Sequence, residues 1–462
     1  MVTNEQLSYR AIRYIYYSAI VWLLVGMTVG LILSIKYVWP DFLVIGPLQK
    51  YLQYGRIRPV HTNSVILGWL TMAYVAGLFY VIPKLTRAPL AHPRLALIVG
   101  YLWNIFNGLG GLTLIGGYTT AIEYAEYLWP IDLVFFGLFA CVMFICFRTI
   151  SNRREKQLYV SLWYFMGSLI WFPLLFIIGN IPNGMIGGIP QALAAWFYGH
   201  NVIGLWITTV GVGFTYYLLP KLSKNPLYSH KLSLIGFWTI ATFYVWNGPH
   251  HLQNGPVPSW LMKAGVIPSV LLIIPVWSVL ANVFGTMKGK WQLVSHDVSL
   301  KFLITGMIFY LITCVQGPFQ SLMGPSSVLK FTNWVVGHAH MPLFGAFSSV
   351  VFALIYHGFK DFAGREIYSK KLMDMHYWFS VIGFLVFAFS TWTQGVLQGF
   401  AWAEGKQYGI QFVEVMQALR PFSIFRSAGG FLMFAGQVVF AYNIYRSAKD
   451  GIPVEKKDQQ TA

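Results

Sequence analysis

The sequence predicts an all-α integral membrane protein with twelve transmembrane helices, organised as a single membrane domain over residues 1–462. Only 10% of the 462 residues are charged, whereas soluble domains average about 25% charged residues. Hydrophobic residues make up 56% of the chain and aromatic residues 18%, which excludes a disordered, solvated chain. Apolar runs long enough to cross a bilayer core of about 30 Å recur along the whole sequence.

The predicted spans are separated by short loops that leave little room for a soluble domain. The first span follows Arg10 and Arg13, and its apolar run from Tyr14 to Leu33 is too long for the core of a cleaved signal peptide. The polar segment 449–462 is predicted to be a disordered cytoplasmic tail. The twelve predicted spans cover residues 14–36, 59–83, 95–117, 128–149, 158–180, 189–219, 232–252, 264–287, 300–322, 333–357, 373–397 and 423–445.

The basic residues predict the orientation of these spans. With twelve spans, 23 of the 32 lysines and arginines fall on the face that holds both termini, and nine fall on the opposite face. Cytoplasmic loops carry an excess of basic residues, so both termini are predicted to be cytoplasmic. The net charge of +17 is explained by this asymmetry and does not indicate nucleic-acid binding.

The cysteines exclude two kinds of site. Cys141, Cys146 and Cys314 all lie in apolar stretches, and none belongs to a Cys-x-x-Cys or Cys-x-x-Cys-His motif. A disulfide framework and a covalently attached haem c are therefore not expected in this chain.

The eleven histidines fall into two groups. Five lie at or near cytoplasmic span ends, where solvation at the interface accounts for them: His92, His230, His296, His357 and His376. Six lie within spans, in their outer halves: His61, His200, His250, His251, His338 and His340. Polar side chains inside a bilayer are costly and usually functional, so these six are predicted to be metal ligands.

The spacing of the six histidines indicates more than one site. His338 and His340 are two residues apart, so on a helix they point ~200° apart and can serve sites on opposite flanks. His250 and His251 follow Gly248 and Pro249, and the proline bends the chain so that neighbouring imidazoles can face one ion. His200 on the preceding span can complete a three-nitrogen site, which suits copper, iron or zinc. His61 then remains to pair with one of the tenth-span histidines.

Four segments carry a resemblance to a known family. RPVHTN around His61, WFYGHNVIG around His200, FYVWNGPHHL around His250, and NWVVGHAH around His338 resemble subunit I of the haem–copper oxidases, and among these the cbb3-type cytochrome c oxidases. The resemblance covers essentially the whole chain, including the number of spans.

The resemblance implies roles for individual residues. His61 and His340 match the axial ligands of a low-spin haem b, and His338 matches the iron ligand of a high-spin haem b. The copper ligands of the family match His200, His250 and His251. Tyr244 matches a catalytic tyrosine that in this family is covalently linked to the histidine corresponding to His200.

Further candidate residues concern the outer face and the route of protons. Arg56 and Arg58 are predicted partners of haem propionates, because guanidinium groups bind carboxylates well; a basic membrane-surface anchor is the alternative. Glu123 and Glu126 match an EYAE segment that the family associates with calcium, with a solvated acidic loop as the alternative. Four residues inward of the site are candidates for a proton path, with helix-to-helix hydrogen bonding as the alternative: Thr208, Tyr217, Thr239 and Thr242.

The implied function is reduction of oxygen to water with electrons from cytochrome c, coupled to proton translocation. The enzyme would sit in a bacterial-type cytoplasmic (inner) membrane. Since this chain lacks a haem c motif, the resemblance implies membrane-anchored monohaem and dihaem cytochrome c subunits as partners, with soluble cytochrome c as the donor.

The sequence departs from the family pattern at three places. Gln316 stands where a glutamate is usual, 22 residues before His338. Asn247 stands where an alanine usually precedes GPHH, and HMPLFGAF differs from a stretch usually rich in small residues.

Two alternatives remain. A nitric oxide reductase shares the framework but uses non-haem iron with nearby glutamates, and no acid lies on the sixth or seventh span. A non-catalytic electron-transfer cytochrome b would give adjacent His250 and His251 no purpose.

Overall fold

The computed structural model describes residues 3–181 and 185–454, which form a bundle of long helices. Eleven of the predicted spans correspond to one helix each, and the seventh begins with a helix. In chain order these are α1 (Asn4–Val38), α2 (Tyr54–Thr86), α3 (Pro93–Gly116), α4 (Trp129–Ser151), α5 (Val160–Gly179), α6 (Gly188–Ser223), α7 (His230–Phe243), α8 (Ser259–Thr286), α9 (Val298–Ser321), α10 (Asn333–Ala363), α11 (Lys370–Tyr408) and α12 (Arg420–Asp450).

The seventh span is the one that departs from a regular helix. Helix α7 ends at Phe243, and two 3-10 turns, Tyr244–Trp246 and Gly248–Leu252, complete the predicted span 232–252. Pro249 begins the second turn and has no N–H to continue an α-helical ladder. Eleven helices of the described chain are therefore long and apolar enough to cross a membrane. The all-α membrane fold is confirmed, with the twelfth predicted span present in broken form.

Helices α2, α6 and α10 form the centre of the bundle, because their apolar stretches are 83–94% buried, whereas those of α1, α3 and α12 are only 33% buried. The central helices carry His61, His200, His338 and His340. Each changes to a π-helical segment within three residues after its last such histidine, and these segments are Ser64–Thr71, Ile203–Thr208 and Met341–Ser348. Such segments are uncommon and often occur at functional sites.

Several helices extend beyond the predicted spans. Helix α1 begins ten residues earlier than predicted, because Thr3 and Gln6 form a reciprocal capping box. Helix α12 includes residues 449 and 450, and the four residues after it lie against the loop before α11, where Glu366 N donates to Ile452 O at 2.9 Å. The predicted disordered tail 449–462 is therefore structured up to residue 454, and its remainder, 455–462, lies outside the described residues.

His376 differs from its expected interfacial position. Its side chain is 0% exposed, its Nδ1 lies 2.9 Å from the Tyr356 hydroxyl, and its Nε2 lies 3.3 Å from Gln437 Oε1. The prediction of interfacial solvation is wrong for this residue, because α10 and α12 enclose it. His92, His230 and His296 are exposed, as expected.

We predict that Gly395→Ala destabilises the protein by about 1–3 kcal/mol, because the added methyl would overpack a contact between two backbones. A Cβ at Gly395 would lie 2.0 Å from the backbone nitrogen of Trp334, in the first turn of α10. The matched control is Gly137→Ala on α4, where nothing lies within 4 Å of the added atom. That change should be neutral or stabilising, since alanine favours helix more than glycine does. Equal thermal unfolding temperatures for the two variants in detergent would contradict the prediction.

Candidate active site and metal centres

Three histidines converge in the half of the bundle that is farther from both termini. His200, near the end of the regular part of α6, meets His250 and His251 of the turn after α7. Their candidate ligand nitrogens all lie within 4.8 Å of one another, and His200 Nδ1 lies 3.0 Å from His251 Nε2. Three imidazole nitrogens at this separation form a donor set that fits one copper, iron or zinc ion.

The histidine turn is held by close contacts with α6 and α8. A Cβ at Gly248 would lie 2.8 Å from the carbonyl oxygen of Trp196, so the turn lies directly on the α6 backbone. The Trp196 indole stacks on the His251 ring at 3.9 Å with an interplanar angle of 6°. On the other side, a Cβ at Gly265 of α8 would lie 2.6 Å from the backbone nitrogen of His250. Glycine at both positions is what allows the turn to fit.

Ser269 determines which nitrogen of His250 is free. The Ser269 Oγ lies 2.8 Å from His250 Nδ1 and donates its own hydrogen to the carbonyl oxygen of Gly265 at 2.7 Å. A hydroxyl has one hydrogen, so Ser269 accepts from His250 Nδ1–H, and Nε2 keeps its lone pair for a metal. Sequence reasoning missed Ser269. The spacing of Gly265 and Ser269, four apart on one helix face, was the available signal.

Tyr244 packs beside this cluster. Its ring lies 4.8 Å from the His200 ring with an interplanar angle of 24°. A Cβ at Gly204, four residues after His200 on α6, would lie 1.9 Å from Tyr244 Cε1, so the phenol ring occupies the space beside a bare backbone. His200 Nε2 is buried and has no hydrogen-bond partner among the described residues.

His61 and His340 form a separate pair between α2 and α10. Their rings are nearly parallel, with an interplanar angle of 16° and 6.1 Å between centroids. His61 Nδ1 bonds to Gly26 O at 2.7 Å, and His340 Nδ1 bonds to Val336 O at 2.8 Å. A carbonyl only accepts, so both Nδ1 atoms carry hydrogen and both Nε2 atoms are available as ligands. The ring separation is too wide for stacking contact and leaves room for one metal about 2 Å from each nitrogen.

Gly30 makes room for this pair, since a Cβ there would lie 2.6 Å from His61 Cε1. The bare edge of α1 is therefore part of the His61 pocket.

His338 lies on another flank of α10 from His340 and lines the same cavity as the three-histidine cluster. This cavity has a volume of about 770 Å³, within the range of about 300–1,000 Å³ that is usual for sites of organic ligands. His338 Nδ1 lies 3.3 Å from Gln316 Oε1, and Gln316 is only 9% exposed. The residue that departs from the family pattern is therefore the hydrogen-bond partner of His338.

Arg56 and Arg58, the predicted propionate partners, bond to other groups of this chain. Arg56 donates to the carbonyl oxygens of Ile115 and Gly116, both at 3.1 Å, and so caps the end of α3. Arg58 forms an ion pair with Glu123.

Glu126 is the buried carboxylate of this group. Asn63 Nδ2 donates to its Oε2 at 3.0 Å, and Arg58 lies 3.9 Å from its Oε1. Burial raises the pKa of Glu126 above its usual value despite these partners. Calcium at Glu123 and Glu126 stays a prediction.

The four residues predicted for a proton path are placed differently from one another. Thr208 borders the cavity, and Tyr217 is buried with a hydroxyl that has no partner among the described residues. Thr239 and Thr242 donate to carbonyl oxygens of their own helix, at 2.5 and 2.8 Å. The last two therefore bond within their own helix and not to a neighbouring helix, as the alternative had expected.

A second set of buried polar groups, missed by sequence reasoning, leads inward from the cavity. Tyr310 borders the cavity and lies near Tyr164. Tyr164 and Tyr216 have ring centroids 5.7 Å apart, their buried hydroxyls interact with each other, and that of Tyr216 also interacts with Asn282 and Ser233. Farther inward, Asn282 Nδ2 donates to Ser233 Oγ at 2.8 Å. No spacing pattern separates these tyrosines from the others among the 27 in the sequence.

Comparison with known proteins places the chain among respiratory oxidases. The family model "Cytochrome C and Quinol oxidase polypeptide I" matches residues 10–432. The cbb3-type cytochrome c oxidase subunit CcoN1 of Stutzerimonas stutzeri is 31% identical over 98% of both chains. A cytochrome c oxidase subunit 1 homolog of Agrobacterium tumefaciens (strain T37) is 31% identical over 94% of this chain and 82% of its own length.

The fold agrees with these relatives. A cryo-EM structure of a heme-copper terminal oxidase dimer superposes with a TM-score of 0.79 at 17% identity, covering 96% of this chain and 85% of the other. The buried histidine sites, the sequence matches and the shared fold lead to one conclusion: the chain belongs to the cytochrome c and quinol oxidase polypeptide I family and is a subunit I of the haem–copper oxidase type.

Proposed function

We propose that this chain is the catalytic subunit of a cbb3-type terminal oxidase, which reduces oxygen to water with electrons from cytochrome c and couples this to proton translocation. One observation carries the proposal: the three-histidine cluster, His338 and Tyr244 line a single cavity. An electron-transfer cytochrome b needs no such cluster.

The residues fit the expected cofactors. His61 and His340 would hold the iron of a low-spin haem b, since their free nitrogens flank a gap wide enough for one metal. His338 would hold the iron of a high-spin haem b at the wall of the cavity, and His200, His250 and His251 would hold copper. The bound haems and copper supply the electron transfer and the oxygen chemistry.

Tyr244 is the proposed catalytic residue of the chain itself. Its hydroxyl would give one proton and one electron during oxygen reduction, and both would be restored before the next turnover. The contact between the Tyr244 and His200 rings, and the unpartnered His200 Nε2, support the predicted covalent link between them.

Protons would reach the cavity from the cytoplasmic side through Tyr310, Tyr164 and Tyr216, with Ser233 and Asn282 at the inner end. These groups are suited to the task because the hydroxyls of Tyr164 and Tyr216 interact with each other, and that of Tyr216 interacts with Ser233 and Asn282. This route replaces Thr239 and Thr242, whose hydroxyls bond to their own helix.

Nitric oxide reduction is the second candidate, because Gln316 departs from the oxidase pattern. Against it, Glu123 is the one carboxylate among the described residues that line the cavity, and Arg58 neutralises it. The histidine cluster therefore lacks the nearby glutamates expected for non-haem iron.

Electron delivery requires partners, since the sequence has no haem c motif. We assign this role to membrane-anchored monohaem and dihaem cytochrome c subunits that receive electrons from soluble cytochrome c. The excess of basic residues on the face of the termini supports an inner membrane location with both termini in the cytoplasm.

Metal and haem analysis of the purified complex tests the proposal. We expect two haem b groups and one copper ion in this subunit, with faster turnover of oxygen than of nitric oxide. Non-haem iron in place of copper, together with faster nitric oxide turnover, would identify the reductase instead. Failure of the reduced protein to bind carbon monoxide would indicate an electron-transfer cytochrome.

Tyr244→Phe should lower the rate of oxygen reduction by about 10²-fold or more, because the variant loses the hydroxyl that supplies the proton. Haem and copper contents should not change, since no metal ligand is altered. Tyr74→Phe is the matched control, because that hydroxyl bonds to Ile207 O away from the cavity. An unchanged oxygen reduction rate in Tyr244→Phe would overturn the assigned role.

Gln316→Glu should lower the midpoint potential of the high-spin haem. A carboxylate accepts the Nδ1–H of His338 more strongly than an amide does, which makes the imidazole a better donor to oxidised iron. Gln316→Leu should shift the potential in the opposite direction. Gln320→Glu is the control, since Gln320 bonds to the Trp334 indole at 2.9 Å. Equal potentials in both Gln316 variants would show that the contact with His338 does not tune the iron.

A further inference from the structure

Lys330 brings a positive charge to the outer end of the cavity, which is the end farther from the two chain termini. It lies in the connection after α9, just before α10 begins at Asn333. Its partly buried side chain lines the cavity together with Phe331, and its ammonium nitrogen lies 4.9 Å from the centroid of the Phe331 ring. The ammonium also donates to Gln253 O, two residues after His251. The charge therefore lies beside the histidine turn.

The Lys330 ammonium has no anionic partner within the described part of the chain. None of the ion pairs formed by the described residues includes it, and Gln253 O is the one hydrogen-bond acceptor that it reaches among them. An ammonium group offers three donors, so two remain for a ligand. Burial lowers the pKa of Lys330 below its usual value, because a partly buried cation loses hydration. A bound anion would offset that cost.

The other charged groups at this end of the cavity are already paired. Glu123, the second charged residue among the described residues that line the cavity, forms its ion pair with Arg58. Arg56 is bonded to the carbonyl oxygens at the end of α3. Lys330 is therefore the cation of this end whose charge is available to a ligand.

The position of the charge indicates the chemistry of that ligand. Glu123 and Lys330 both lie at the outer end, in connections between helices, whereas uncharged side chains such as Ile240, Val276 and Leu343 line the cavity elsewhere. A haem b is an apolar ring that carries two carboxylates on one edge. A haem held by His338 is most stable with its apolar edge among the uncharged side chains and a carboxylate at the unpaired ammonium.

We propose that the Lys330 ammonium forms an ion pair with a carboxylate of the haem that His338 would hold. This inference rests on the proposed function, because it requires that haem in the cavity.

Redox-difference infrared spectra of the purified complex test the ion pair. Cells supplied with aminolevulinate that carries heavy carbon in its carboxyl group place this label in the carboxylates of haem. In Lys330→Gln a label-sensitive carboxylate band should shift from its wild-type position, because the carboxylate loses a charged donor. Lys330→Arg should keep the band near its wild-type position, since the charge is retained. Lys330→Met provides the same test if the glutamine variant does not assemble.

The midpoint potential of the high-spin haem gives a second readout. At a fixed potential, the ratio of reduced to oxidised haem should fall by about two- to tenfold in Lys330→Gln, because a nearby positive charge stabilises the added electron. Lys263→Gln is the matched control, since Lys263 is an exposed lysine of α8 that does not line the cavity. It should leave both the band and the potential unchanged.

Unchanged label-sensitive bands in Lys330→Gln and Lys330→Met would overturn the inference while leaving the proposed oxidase intact. Loss of copper with unchanged bands would assign Lys330 to the support of the histidine turn through Gln253 O, and would equally overturn it. A shifted band that does not respond to the label would show that the lysine binds a different anion, which also overturns the inference. Wild type without a high-spin haem would reject the proposed function itself.

Discussion

Two rings and the histidine turn of the site depend on places where the backbone of a neighbouring helix carries no side chain. Added Cβ atoms would lie 1.9 Å from Tyr244 at Gly204, 2.6 Å from His61 at Gly30, and 2.6 Å from the His250 backbone at Gly265. Heavy atoms cannot approach this closely, so any side chain at these glycines would displace the ring or the turn beside it. The site is therefore determined by the closeness of helix packing as much as by its histidines.

Hydrogen bonds to the second ring nitrogen then orient the imidazoles. His61 and His340 donate to carbonyl oxygens of helices, His250 donates to a serine, and His338 is paired with a glutamine amide. Each partner removes Nδ1 from competition and leaves Nε2 as the ligand atom. His200 is the exception, since its Nδ1 faces the cluster and its Nε2 is unpartnered.

Few charged side chains line the cavity. Neutral amides, Gln316 and Asn247, occupy positions beside the proposed iron ligand and the histidine turn, while Glu123 at the outer rim is neutralised by Arg58. Lys330, whose ammonium group donates to Gln253 O, is the other charged residue among the described residues that line the cavity, and it acts on His250 and His251. In such surroundings the charge of bound metal ions and the orientation of a few amide and hydroxyl dipoles dominate the local field.

The sequence by itself determined the membrane fold, the number of spans and the six embedded histidines. Charged and polar residues are so scarce in the spans that the six histidines can be recognised as candidate ligands. The Gly248–Pro249 pair likewise indicates a break in the seventh helix. Only the tertiary structure decided which groups support them. Ser269, Tyr164, Tyr310 and the buried state of His376 depend on how each helix is rotated against its neighbours, and the π-helical segments after the histidines alter that rotation. The spacing of Gly265 and Ser269 marks a face of small residues on α8, but residue spacing along one helix does not show which group of the facing segment lies against it, so the sequence could not assign these contacts.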